Sequence, residues 1–91
     1  MEYRLKIDNM FEELTKVFKG EVLKDEPLKN HTYFKIGGPA GIFAVPEDME
    51  DLKVLLKEIK KHEIDYYIIG NGTNLLVSDE GFKGIIVKIG E

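Results

Sequence analysis

Residues 70–76 combine the residue types of a phosphate-binding loop. Glycine reaches positive φ at little cost, and without a Cβ it lets a ligand oxygen approach the main chain closely. Successive main-chain N–H groups in such a turn form a concave anion site, and Thr73 and Asn74 add hydroxyl and amide donors. The predicted ligand-binding residues are Gly70, Asn71, Gly72, Thr73, Asn74, Leu75 and Leu76.

The context of this loop favours a phosphate that is held over one that is transferred. The loop follows an apolar run at 66–69, which predicts a buried strand, and continues into β-like residues at 75–77. It opens no helix and lacks the lysine of a P-loop. A neutral site of this kind suits a pyrophosphate. Asn-Gly pairs also form hairpin turns that bind no ligand, so the loop by itself leaves both interpretations open.

Other polar residues give weaker signals. Lys35 precedes Gly37 and Gly38 and could lie beside a cofactor phosphate, although a solvated loop is the favoured interpretation. His62 is predicted to be a surface residue that complements a helix dipole. The two histidines are far apart in sequence, so no metal site is predicted. Ser78 has no histidine positioned to activate it, and no carboxylate pair stands out. The sequence therefore predicts no catalytic residue.

Two amphipathic helices are predicted to support the loop. The first ends before Gly20, and the second begins at the N-cap Asp48, with Asp51 at the capping-box position, and runs to about His62. Apolar residues recur at helical spacing in both segments. They are Ile7, Met10, Phe11, Leu14, Val17 and Phe18 in the first, and Leu52, Leu55, Leu56 and Ile59 in the second.

Four strands are predicted, near 22–23 and at 42–45, 66–69 and 85–89. The second and third flank a helix, which predicts a βαβ unit with parallel strands. The fold class is therefore α+β, with a small mixed sheet and two helices. The last strand is strongly apolar and no helix follows it, whereas parallel sheets are normally covered on both faces. We expect a fragment, or a domain that self-associates through an uncovered sheet.

Composition limits the functions that the chain can have. Its 91 residues suffice for one small domain, and 43% apolar with 33% charged residues is typical of a globular protein. The net charge of −4 and the lack of a basic stripe argue against nucleic acid as a partner. With no cysteine, disulfides and thiolate sites are excluded. No apolar run is long enough for a membrane span and no signal peptide is visible, so a cytoplasmic location is predicted.

Three motifs in this order resemble one family. They are Asn-His-Thr-Tyr-Phe-Lys-Ile-Gly-Gly-Pro-Ala at 30–40, Ile-Gly-Asn-Gly-Thr-Asn-Leu-Leu at 69–76 and Gly-Phe-Lys-Gly at 81–84. Their order and spacing are similar to the N-terminal part of the UDP-N-acetylenolpyruvoylglucosamine reductase (UDP-N-acetylmuramate dehydrogenase) family. The resemblance covers nearly the whole chain and is more specific than any single glycine motif.

The resemblance implies an FAD-dependent enzyme of peptidoglycan synthesis. NADPH would reduce the flavin, which would pass a hydride to UDP-N-acetylglucosamine enolpyruvate and form UDP-N-acetylmuramate. The FAD domain of the family is of the vanillyl-alcohol-oxidase type (PCMH type), and residues 70–76 would wrap the FAD pyrophosphate.

The resemblance also sets a domain division. Residues 1–20 would be an N-terminal helix and residues 21–91 a truncated first subdomain of the FAD domain. The substrate-binding domain and the catalytic arginine, serine and glutamate of the family would lie outside the chain. The chain alone is therefore predicted to be inactive and to bind FAD weakly or not at all. The alternatives are a free-standing nucleotide- or phosphate-binding module and a protein-interaction module.

Overall fold

Two helices and four strands make up the residues that the structure, a computed structural model, describes, namely 2–27, 39–70 and 81–89. Helix α1 spans Glu2–Val17 and is followed by strands β1 (Glu21–Pro27) and β2 (Pro39–Val45). Helix α2 (Met49–His62) leads to strands β3 (Tyr66–Ile69) and β4 (Phe82–Lys88). The β-like run at 75–77 and the diglycine at 37–38 lie outside the described residues.

The four strands form one mixed sheet in the order β1-β2-β4-β3. Strand β1 is antiparallel to β2, whereas β2 and β3 are each parallel to β4. The predicted parallel relation between the strands that flank α2 is therefore confirmed, but β4 lies between them. In the register of the sheet, Leu23, Phe43, Ile86 and Tyr67 form one row across all four strands.

Both helices pack on one face of the sheet. Their apolar sides share a core with inward-facing residues of β2 and β4, and α2 also contributes the residue that follows its C-cap. The opposite face carries a second, smaller cluster. The first core contains Ile7, Met10, Leu14, Phe18, Ile42, Ala44, Leu55, Ile59, Ile64, Ile85 and Val87, and the second contains Ala40, Phe43, Ile69 and Ile86.

The predicted helices are present, with two differences in packing. Helix α1 begins at Glu2, within the predicted range 1–20. Val17 and Leu56 belong to the predicted apolar sides but are 53% and 36% exposed. Asp48 caps α2 as predicted, and its side chain accepts a hydrogen bond from the Asp51 N–H.

Two predictions about the sheet are wrong. Strand β3 was expected to be buried, but Tyr66, Tyr67 and Ile68 are 40 to 49% exposed because β3 is an edge strand with one neighbour. Strand β4 was expected to be uncovered, but it is central, and Ile86 on the face away from the helices is 1% exposed. The exposed apolar side chains of the sheet lie on its β3 edge. Self-association stays a prediction.

Neither of the two helices found in the described ranges is both long and apolar enough to span a lipid bilayer.

Candidate cofactor-binding site

The predicted phosphate loop begins at the carboxyl end of β3. Gly70 directly follows Ile69, which is buried, and the Ile89 N–H donates a hydrogen bond of 2.9 Å to the Ile69 carbonyl oxygen. This bond connects the residue before the loop to the end of β4, which is a central strand of the sheet. The other predicted binding residues, Asn71 to Leu76, lie outside the described residues, as do Lys35 and Ser78.

The connection that carries the loop returns to the sheet at Gly81. This residue has φ +94°, and a Cβ placed on it would lie 2.1 Å from the Pro39 carbonyl oxygen. Only glycine fits both the positive φ and the contact with another main chain. The next residue, Phe82, pairs with Ala40. The segments 28–38 and 71–80, which carry most of the family motifs, therefore rejoin the fold side by side, at the starts of β2 and β4.

The second glycine of the Gly-Phe-Lys-Gly motif also has a packing reason. A Cβ on Gly84 would lie 2.3 Å from the Asp65 carbonyl oxygen. That same oxygen accepts a hydrogen bond of 2.9 Å from the Ile85 N–H, which starts the pairing of β4 with β3. Both glycines of the motif thus allow main chain to approach main chain, and the motif sets the position at which β4 enters the sheet.

A buried carboxylate holds the junction between the turn after α1 and the start of α2. Asp51 is 1% exposed, and its two oxygens accept hydrogen bonds from the N–H groups of Lys19 (2.9 Å), Gly20 (2.7 Å) and Glu47 (3.0 Å). Sequence reasoning placed Asp51 in a capping box, in which the acid reaches back to the N-cap N–H. Asp51 instead accepts hydrogen bonds from Glu47, which precedes the N-cap, and from Lys19 and Gly20 in the turn after α1. The sequence signal for this different role was an aspartate at a position where a capping box usually has glutamate or glutamine.

Charges around the start of α2 support the same junction. The Lys19 ammonium lies 3.0 Å from Asp48 Oδ2. The Asp51 N–H and then the Lys19 ammonium lower the pKa of the Asp48 carboxyl by hydrogen bonding to its ionised form. The Asp48 carboxylate in turn raises the pKa of Lys19. The chain from α1 through β1 to β2 and α2 is thus held by carboxylates that accept main-chain N–H groups.

The prediction that His62 is a surface residue is wrong. Its side chain is only 13% exposed because it points between α1 and α2. The Nε2 atom lies 3.3 Å from Glu13 Oε1 and 3.2 Å from Glu58 Oε1. Sequence spacing missed this group because Glu13 and His62 are 49 positions apart. The three residues lie on the helical side of the fold.

The comparisons with known proteins agree on one group of enzymes. The chain is 45% identical over 85 residues to a UDP-N-acetylenolpyruvoylglucosamine reductase of Bacillus licheniformis, 93% of this chain and 28% of the relative. It is 51% identical over 82 residues to the reductase of Alkaliphilus oremlandii, 89% of this chain and 27% of the relative. The Bacillus subtilis reductase is 42% identical over 84 residues, 92% of this chain and 28% of the relative.

No family model matches the chain. The chain spans 27 to 28% of the length of these curated relatives, so the similarity concerns one part of each reductase. Within that part the similarity covers 89 to 93% of this chain. The resemblance predicted from the motifs is therefore confirmed, and the chain is similar along almost its whole length to part of the UDP-N-acetylenolpyruvoylglucosamine reductase family.

Proposed function

We propose that the chain is the part of an FAD-dependent UDP-N-acetylenolpyruvoylglucosamine reductase that holds the cofactor pyrophosphate. The observation that carries the proposal is the identity of 42 to 51% with the three reductases along nearly the whole chain. The proposal includes a PCMH-type FAD domain, of which residues 21–91, with the mixed sheet and α2, would be the truncated first subdomain, preceded by helix α1 within residues 1–20. It also includes a cytoplasmic location for the enzyme.

The residues of the loop fit a diphosphate. Gly70 and Gly72 have no Cβ to keep a phosphate oxygen away from the main chain, and Thr73 and Asn74 offer side-chain donors. None of these groups carries a charge, so binding would depend on several oriented dipoles. The fold on either side of this connection would keep the dipoles oriented. The Ile69–Ile89 hydrogen bond holds one end of the connection, and the Gly81–Pro39 contact holds the other.

FAD, when bound, would supply a two-electron carrier between NADPH and the enolpyruvyl double bond of UDP-N-acetylglucosamine enolpyruvate. The role of this chain would be to bind and orient the cofactor. Ser78 and Arg4, the single serine and arginine of the sequence, do not match the catalytic serine and arginine positions of the family. The groups that bind the nucleotide sugar and protonate it would belong to the other part of the reductase.

A chimera tests this proposal with the complete enzyme. The chain would replace the 84 matching residues in the Bacillus subtilis reductase. We expect a folded protein that retains about one FAD and oxidises NADPH only when UDP-N-acetylglucosamine enolpyruvate is present. Gly72→Val should abolish flavin retention because its side chain would occupy the cradle, and Asn74→Ala should weaken it. Lys83→Ala, at an exposed position of β4, is the matched control and should retain FAD.

Two results would contradict the proposal. One is a folded chimera without flavin. The other is a Gly72→Val chimera that retains FAD like the parent. Titration of the 91-residue chain alone with FAD and with ADP tests the alternative of a free-standing nucleotide module. We expect weak or no binding, and tight retention of FAD by the chain alone would favour that alternative.

A further inference from the structure

A cluster of two carboxylates and an imidazole lies between the two helices. Glu58 and His62 are separated by one turn of α2 and so lie on the same side of that helix. Glu13 reaches them from the facing side of α1. One ligand-type atom from each residue lies within 4.8 Å of the other two. The cluster is on the helical side of the sheet, and none of its three residues belongs to the predicted cofactor loop.

The distances fit the coordination sphere of a small divalent cation. His62 Nε2 lies 3.2 Å from Glu58 Oε1 and 3.3 Å from Glu13 Oε1. Zinc binds nitrogen and oxygen at about 2.0–2.2 Å, so two ligands of a tetrahedral site lie about 3.3–3.5 Å apart. The imidazole thus already stands at the separation from both oxygens that a shared ion would require. The Glu13 side chain is 40% exposed, so it is free to bring its oxygen to the same separation from the Glu58 oxygen.

Hydrogen bonds within the cluster do not satisfy every oxygen. Burial and then a hydrogen bond to Glu13 raise the pKa of Glu58, but the Glu58 Oε1 atom is buried without a hydrogen-bond partner among the described residues. His62 Nε2 lies 3.2 Å from that atom and 3.3 Å from Glu13 Oε1, so one nitrogen faces both carboxylates. One ring nitrogen can make only one strong hydrogen bond, yet two carboxylates face it. A buried acceptor without a partner is costly, and a cation among the three atoms would satisfy all of them.

We propose that Glu13, Glu58 and His62 bind a divalent transition-metal ion of the zinc type, which ties α1 to α2. The donor set of one imidazole and two carboxylates suits zinc, while magnesium prefers six oxygen ligands. Water would complete the tetrahedron on the exposed side of Glu13. The role of the ion is structural: it binds the folded helix pair and stabilises it. This site is independent of the reductase activity and of FAD.

A network without a metal is the competing explanation for the cluster, because burial and a hydrogen bond to Glu13 raise the pKa of Glu58 and so favour a proton that the two carboxyl groups share. One-to-one binding of Zn²⁺ separates the two explanations, since a network without a metal predicts none. Lys61 Nζ lies 3.2 Å from Glu13 Oε1 and cannot be a ligand while it is protonated, so Lys61→Ala removes none of the three proposed ligands. It should leave zinc affinity unchanged or raise it, because it removes a competing cation from the same oxygen.

The test is a titration of the 91-residue chain with Zn²⁺ alone, in a buffer free of chelators. We expect saturable binding of one ion per chain by calorimetry, and the strong visible absorption of tetrahedral cobalt when Co²⁺ replaces zinc. At a hundredfold excess of Zn²⁺ over Kd, the thermal midpoint should rise by roughly 10–20 °C. Mg²⁺ at the same concentration should cause no rise.

Substitutions locate the ion. His62→Ala and the isosteric Glu58→Gln should each weaken Zn²⁺ binding about 100-fold or more, since each removes one of three ligands. His31→Ala removes the other histidine of the sequence and should change nothing. Circular dichroism establishes that each variant is folded, and Glu58→Gln carries the test if His62→Ala is not. Absence of one-to-one Zn²⁺ binding by the parent chain, or unchanged binding in Glu58→Gln, would overturn the proposal.

Discussion

The Asp51 carboxylate accepts a hydrogen bond of 2.7 Å from the Gly20 N–H and so joins the start of α2 to the turn after α1. A Cβ on Gly20 would lie 2.0 Å from the Val45 carbonyl oxygen, so the same turn also packs against the end of β2. A single buried side chain therefore connects segments that are 31 positions apart. Buried carboxylates are costly unless hydrogen bonds satisfy them, and this one has three main-chain donors.

Loss of the Asp51 carboxylate should destabilise the fold strongly. Asp51→Ala leaves three N–H donors without their acceptor and should lower the free energy of unfolding by about 3 kcal/mol or more. Asp51→Asn keeps the shape and one acceptor oxygen, so its effect should be smaller. Urea denaturation measures both. Glu50→Ala changes the neighbouring acid, whose side chain is 78% exposed, and should shift the midpoint little. Equal effects at positions 50 and 51 would contradict this role.

Gly81→Ala should also destabilise the chain, because the new methyl group would meet the Pro39 carbonyl and the residue would be held at positive φ. A cost of about 2 kcal/mol or more is expected from the backbone strain and the displaced contact. Lys83→Ala, two residues further along the same strand, is the comparison. Thermal unfolding followed by circular dichroism gives the readout. A Gly81→Ala protein as stable as Lys83→Ala would mean that the contact is not required.

Two isoleucines, Ile68 on β3 and Ile86 on β4, test which of the two strands is buried. Ile86 is 1% exposed and Ile68 is 40% exposed. Ile86→Ala should cost about 2–5 kcal/mol, the usual range for a fully buried isoleucine. Ile68→Ala should cost well under half of that, because its side chain already contacts water. Denaturant titrations of the two variants provide the comparison. Similar costs would show that β3 is buried, as the sequence suggested.

Acid should weaken the cap of α2. The pKa of Asp48 is lowered in the folded protein, first by the hydrogen bond from the Asp51 N–H and then by Lys19. The ionised carboxylate therefore stabilises the folded state. This contribution is complete above the unfolded pKa near 3.8 and is lost as the pH falls through the lower folded value. Since Asp48 is exposed, added salt should reduce the part that comes from Lys19.

Asp48→Asn isolates this contribution. Asparagine is as good an N-cap as aspartate but does not titrate, so the hydrogen bond to α2 is retained at all pH values. The midpoint of thermal unfolding should fall less between about pH 5 and pH 2 in this variant than in the parent chain. Parallel curves for the two proteins over this range would show that Asp48 contributes no pH dependence.

The sequence alone determined the local structure. Apolar spacing located both helices, Asp48 marked the start of α2, and the run at 66–69 coincides with β3. These features depend on neighbours within a turn or two of chain, and so they are encoded locally. The order and spacing of the three glycine-containing motifs identified the family, which the comparisons confirm.

Tertiary structure decided which residues meet. Strand β4 inserts between β2 and β3, which leaves β3 at an exposed edge, and no local pattern encodes strand order. Asp51 reaches Gly20, and Glu13 reaches His62, across 31 and 49 positions respectively. Such contacts arise only when the helices pack on the sheet, because side chains distant in sequence become neighbours through burial of their apolar sides. Local patterns therefore predicted the helices and a part of each strand, while packing created the buried carboxylate junction and the proposed metal site.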